Sequence, residues 1–101
     1  MPKAKIVWSE QAKLDLKGIR RRIARNAPRT ATEFVQKLGK SVGLLRSFPE
    51  LGGLLSDIQT STYRELIKGN YRIIYRVLGN TVFIVTVRHA ARLLGEEFLD
   101  E

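Results

Sequence analysis

Two Gly-Asn pairs, Gly69-Asn70 and Gly79-Asn80, separate three runs rich in branched and aromatic residues, 63–68, 71–78 and 81–89. Two-residue loops of this composition suit tight hairpins, because glycine enters positive φ without steric cost. Three antiparallel strands in sequence order are therefore expected. The turns also set the register. Lys68 should face Tyr71, Leu66 should face Ile73, and Arg64 should face Tyr75. Past the second turn, Val77 should face Val82, Tyr75 should face Ile84, and Ile73 should face Thr86.

Opposed residues share a sheet face. One face should gather Leu66, Ile73, Tyr75, Val77, Val82 and Ile84, a natural seat for helices. The other should carry Tyr63, Glu65, Ile67, Arg72, Ile74, Arg76, Phe83, Val85, Val87 and His89. That second face mixes hydrocarbon with guanidinium groups, and no helix is left to cover it. Ile74, Phe83 and Val85 beside arginines are too apolar for idle exposure, so the surface is expected to be a docking groove.

Upstream the period changes. "KIVW" at 5–8 is a short β-prone run. Ser9 is placed to cap a helix whose apolar stripe is Ala12, Leu16, Ile19, Ile23 and Ala27, and Pro28 should close it. Thr30 and Glu33 have capping-box spacing for a second helix with a stripe at Ala31, Phe34, Val35, Leu38, Val42 and Leu45. Pro49 should end that helix, leaving "ELGGLLSDIQTST" as a connecting loop. The tail "RLLGEEFLDE" is read as a broken terminal turn. The whole, 1–101, is expected to be one α+β domain, with a helical hairpin packed on one face of a mainly antiparallel sheet.

Charge is unevenly placed. Residues 1–49 carry +9 and residues 50–101 carry −1, within a formal total of +8. Such a field favours an anionic partner. The run "KGIRRRIARNAPR" places Lys17, Arg20, Arg21, Arg22 and Arg25 beside a core stripe. It reads as a solvated helix face or as a site for an acidic segment or nucleic acid. No aromatic residue is interleaved, so stacking of single-stranded bases is not supported. The chain has no cysteine and one histidine. That excludes disulfides, thiolate chemistry and zinc-thiolate sites, and makes a histidine metal centre improbable. No apolar run spans a bilayer, and "MPKAKIVWSE" lacks the order of a secretory signal, so a cytoplasmic location is expected.

"IVWSEQAKLDLKGI", "FVQKLGKSVGLLRSFPELG", "YRELIKGNYRIIYRV" and "VFIVTVRHAARLL", taken in order, resemble the RelE/ParE superfamily of bacterial type II toxins. The Ala12–Asp15–Leu16 spacing, the Pro49–Gly52 loop, the Tyr71-Arg72 pair and the His89–Arg92 ending resemble the ParE branch. The resemblance implies two helices on a curved sheet that the N-terminal strand joins. It also implies a cognate antitoxin that wraps the toxin and binds operator DNA in the toxin's stead. For the ParE branch it implies inhibition of DNA gyrase by protein contact, with no catalysis, cofactor or metal.

On that reading an amphipathic, acidic antitoxin segment should lie on Arg72, Ile74, Arg76, Phe83 and Val85. The RelE branch implies a different activity, ribosome-dependent messenger RNA cleavage. Such cleavage needs a base, an acid and a cation on the phosphate. Glu65, His89 and Arg72 are the candidates for those roles. The simpler reading pairs Glu65 with an arginine and leaves His89 as a strand-end residue. Ala90 and Ala91 stand where related nucleases tend to finish the strand with His or Tyr, and Tyr63 and Glu65 stand where RelE places lysines. A non-toxic module that keeps antitoxin binding is a further alternative.

Overall fold

A computed structural model describes residues 3–55 and 62–91 of the chain. Strand β1 (Lys5–Trp8) leads into helix α1 (Glu10–Ala24), helix α2 (Pro28–Gly43) and a 3-10 turn at Leu44–Arg46. Strands β2 (Gly53–Leu54), β3 (Arg64–Lys68), β4 (Tyr71–Leu78) and β5 (Thr81–His89) follow. The five strands form one sheet in the order β1-β5-β4-β3-β2, with β1 parallel to β5 and every other pair antiparallel. Among the described residues no helix is long and apolar enough to cross a membrane.

Both Gly-Asn turns form as expected. Gly69 and Gly79 have φ of 59° and 57°, and no other described residue has positive φ. A positive φ at the first central position alone is the signature of a type II′ turn, whose twist matches that of the flanking strands. The β3–β4 register is the expected one throughout. The β4–β5 register agrees near the turn, with Val77 opposite Val82 and Tyr75 opposite Ile84.

Beyond that point the register departs from expectation. Ile74 faces Thr86 and Ile73 faces Val87, so Val85 is an extra residue on β5 without a β4 partner. This is a β-bulge, and it reverses the alternation downstream. Val87 joins the helix-side core instead of the outer face. His89 lies opposite Tyr71 and meets it edge-on, with ring centroids 5.6 Å apart.

Helix α1 secures the bulge. Ser9 is its N-cap, accepting from the Ala12 N–H at 2.9 Å while its hydroxyl donates to the Val85 carbonyl at 2.7 Å. One turn later, Asp15 accepts from the Val87 N–H at 3.2 Å and from the Thr86 hydroxyl. Strand β1 pairs β5 only as far as Ile84, so the following edge of β5 has no strand neighbour and these side chains take its polar groups.

The main core lies between helices and sheet. Ala12, Ile19, Leu38, Val42 and Leu45 meet Ile73, Tyr75, Val82, Ile84 and Val87. Two local expectations are corrected. Helix α2 begins at Pro28 and has Ala27 as N-cap without a side-chain bond, so the Thr30/Glu33 capping box does not form. Proline at the first position presets φ and needs no N–H partner, so the helix starts before Thr30. The segment after Pro49 is not wholly a loop, because Gly53 and Leu54 pair with Glu65 and Arg64. The terminal turn expected after Ala91 lies outside the described residues.

Tyr75 pins this loop. Its buried hydroxyl accepts from the Gly52 N–H and donates to the Pro49 carbonyl, both at 2.8 Å. A Cβ on Gly52 would come within 2.5 Å of the Glu65 carbonyl oxygen and 2.8 Å of the Tyr75 hydroxyl, so only glycine fits. Tyr75→Phe strands a buried donor and should cost about 1–3 kcal/mol in denaturant unfolding. Burial raises the phenol's pKa above its ordinary 10.0, partly opposed by the Gly52 N–H and by Arg64. The unfolded chain therefore releases this proton first. The associated stability is full below pH 10 and declines as pH rises toward the folded value. Tyr75→Phe should flatten the alkaline limb of the stability profile.

Candidate functional site

The outer face of the sheet divides into a covered part and an open part. Leu55 and Tyr63 pack over Ile74 with Val85 at their margin, forming a second, smaller core. Ile74 is 0% exposed and Arg72 is 3% exposed. The expected bare mixed face is therefore partly closed, by Leu55 just after β2 and Tyr63 just before β3 instead of by a helix. Among the described residues the ion-pair partner of Arg72 is Glu65, at 3.6 Å from Nη1 to Oε1. Glu65 faces Ile74, two places along β3 from Ile67, the residue opposite Arg72, so this is the diagonal contact that the register implied.

The open part is a groove of ≈ 340 Å³ lined by Val7, Tyr63, Arg76, Leu78, Phe83 and Val85, with Ser9 and Gln11 at its end. Its walls come from three neighbouring strands. Alternation along β1 turns Ile6 and Trp8 toward the core and Val7 outward, beside its parallel partner Phe83. The bulge brings Val85 to the same side, and Arg76 faces Phe83 across β4–β5. The Arg76 guanidinium lies 5.7 Å from the Tyr63 ring centroid, and its Nη1 donates to the Tyr63 hydroxyl at 3.3 Å. A half-buried cation is thus held at the rim of an apolar trough.

Of the five residues expected to form the dock, Arg76, Phe83 and Val85 line this groove, while Arg72 and Ile74 lie buried beside it. Val7 and Leu78 were missed. Placing β1 next to β5 would have exposed Val7 by simple alternation, and Leu78 follows from extending β4 to its turn.

Glu65, Arg72 and His89 are not assembled around one point. Glu65 and Arg72 meet on the outer face, whereas His89 sits on the helix side beside Tyr71. Its Nδ1 accepts from the Ala91 N–H at 3.2 Å. The bulge is the physical reason, because a regular strand would have put His89 diagonal to Arg72. Among the described residues no group of acidic or histidine side chains is arranged to hold a metal ion.

Two helices on one face of a mixed, mostly antiparallel sheet, with a groove open on the other, define an α+β scaffold shared with solved bacterial toxins. The fold matches the chromosomal ParDE toxin–antitoxin system of P. aeruginosa with a TM-score of 0.73 at 20% identity, covering 86% of this chain and 96% of that one. It also matches the RelBE2 toxin–antitoxin complex of Mycobacterium tuberculosis with a TM-score of 0.61 at 23% identity, covering 86% and 98%. At these identities the likeness is one of fold. Sequence carries it further. The profile of the ParE toxin of type II toxin–antitoxin systems matches residues 6–94. Toxin RelE2 of Caulobacter vibrioides is 38% identical over 91 residues, spanning 89% of this chain and 99% of its own. The chain belongs to the RelE/ParE superfamily of type II toxins, in the family of ParE toxins.

Removing Glu65 leaves the Arg72 cation buried without this carboxylate. Glu65→Ala should therefore destabilise the fold by about 3 kcal/mol. Glu65→Ala combined with Arg72→Met should recover much of that loss, and a double-mutant cycle in urea unfolding measures the coupling.

Proposed function

We propose that this toxin acts as a ParE-like inhibitor of DNA gyrase, working by protein contact, and that a cognate antitoxin neutralises it by occupying the outer groove. The separation of Arg72 from His89 carries the non-catalytic part of this reading. A ribonuclease without a metal needs its base, acid and phosphate cation around one scissile bond. Here the arginine is buried against a carboxylate and the histidine lies on the opposite face.

The groove supports the antitoxin part. An amphipathic segment would lay apolar residues on Val7, Phe83 and Val85 and bring a carboxylate to Arg76, whose planar donors suit bidentate pairing. A segment that folds only on binding would grip tightly yet stay open to proteolysis when released. The assemblies formed by the P. aeruginosa ParDE and M. tuberculosis RelBE2 systems support a partner of this kind.

A second reading, ribosome-dependent messenger RNA cleavage, is favoured by the 38% identity to Toxin RelE2. Induction in a bacterial host without the antitoxin separates the two. Gyrase inhibition predicts filamentation, a DNA-damage response and gyrase trapped on cleaved DNA. The nuclease predicts rapid arrest of protein synthesis with cuts in codon register. Normal growth would favour a non-toxic binding module.

The groove is tested separately by calorimetry with the antitoxin. Arg76→Ala should weaken binding by about 2 kcal/mol or more, roughly thirtyfold, and Phe83→Ala should act in the same direction. Unchanged affinity in both would remove the groove as the dock.

A further inference from the structure

Helix α1 carries a second surface that the outer groove does not use. Its core stripe at Ala12, Leu16, Ile19 and Ile23 faces the sheet and α2. At about 100° per residue, Leu14, Arg21 and Arg25 then form the crest pointing away from the core. Lys17 and Arg20 fall on the flank toward α2, and Arg22 falls on the flank toward β5. All of these residues are exposed, and among the described residues none of the five cations is in an ion pair.

The helix stands as a ridge between two troughs. One, of ≈ 620 Å³, is lined by Lys17, Arg20 and Arg21 against Pro28 and Thr32 at the start of α2. The other, of ≈ 440 Å³, holds Arg22, Arg88, His89 and Tyr71 between α1 and the end of β5. Gly18 also lines the second trough, where a Cβ would meet nothing within 4 Å. Asp15 is the acidic residue in its lining, its carboxylate held by the Thr86 hydroxyl and the Val87 N–H.

We infer that α1 and its two flanking cationic troughs form a docking surface for the phosphate backbones of B-form duplex DNA. A helix is about 10–12 Å across, and the B-DNA major groove is about 12 Å wide. A ridge with a cation-lined trough on either side is complementary to that groove and the two phosphate strands bordering it. An acidic protein fits less well, because the ridge itself carries one large exposed apolar residue, the 61% exposed Leu14, and the one aromatic beside it, Tyr71, is half-buried at the floor of a trough lined by cations. Single strands lack a stacking platform on the helix. The deep, narrow major groove of A-form RNA does not admit the ridge. The chain would then meet DNA directly and not only through an antitoxin. The strand residues of the outer groove lie on the other side of the sheet, and the two surfaces meet only at Gln11.

The test uses the full chain and a fluorescent 24-base-pair duplex of arbitrary sequence, followed by anisotropy across a salt series. One variant carries Arg20→Gln, Arg21→Gln and Arg22→Gln. A control of equal net charge carries Lys3→Gln, Lys5→Gln and Lys40→Gln, and both are checked for unchanged unfolding transitions. The ridge variant should lose at least tenfold in affinity and flatten the log–log salt slope by about 2.7, at roughly 0.9 per lost phosphate contact. The control should lose far less. Equal losses in both variants would overturn the proposal, since diffuse charge would then explain the binding. It would likewise fall if single-stranded DNA or an RNA duplex bound as tightly, or if polyglutamate of matched charge competed as well as unlabelled duplex.

Discussion

The bulge at Val85 is the feature on which the two faces of this sheet depend. It allows Ile84 and Val87, three residues apart, both to reach the helix-side core. A regular strand places such residues on opposite faces. The irregularity exposes backbone polar groups on an edge that β1 no longer pairs, and burying them unpaired would cost about 1–3 kcal/mol each. Ser9 and Asp15 meet that demand from the first two turns of α1. The same hydroxyl that starts the helix also holds the sheet, so helix position and strand register are mutually determined. This coupling fixes where α1 lies and which way the end of β5 points.

Much of this architecture is legible in the sequence because it rests on local rules. The Gly-Asn turns require a conformation that glycine alone adopts freely, and the register follows for as long as the strands stay regular. The helical stripes are equally readable, since each has the period of a half-buried helix. The bulge is not legible. "FIVTV" alternates as a regular strand would, and only Asp15, some seventy residues away, reveals the demand for a side chain at that edge. The missed capping box has a simpler cause, for two adequate start signals lay within three residues and proline's preset φ prevailed. Strand β2 was hidden because two residues at a sheet edge carry no periodicity.

Arg72 shows a subtler limit. Alternation placed it on the outer face correctly, but exposure is not a property of alternation. Arg72 is 3% exposed, beside a small core in which Leu55 and Tyr63 pack over the neighbouring Ile74. The Tyr75 hydroxyl and the absence of a Cβ at Gly52 hold the chain against the sheet just before β2. Once enclosed, a guanidinium has to be matched by a carboxylate, and Glu65 is within reach because of the β3–β4 register. An arginine that reads as a binding residue is thereby drawn into the structure, and the role of exposed cation passes to Arg76.

The sheet consequently separates two kinds of surface by charge and by curvature. Its outer face ends in an apolar trough with one half-buried cation, where affinity must come mainly from burying hydrocarbon. Its helical face presents a convex row of exposed cations, where association would be governed by long-range attraction and screened by salt. An occupant of the trough removes little of the positive field, because most of that field arises on the far side. A partner bound there and a polyanion bound on the ridge would share only Gln11 among their lining residues. They would still be linked through Ser9, which caps α1 and borders the trough, so tightening the sheet edge on one side steadies the helix on the other.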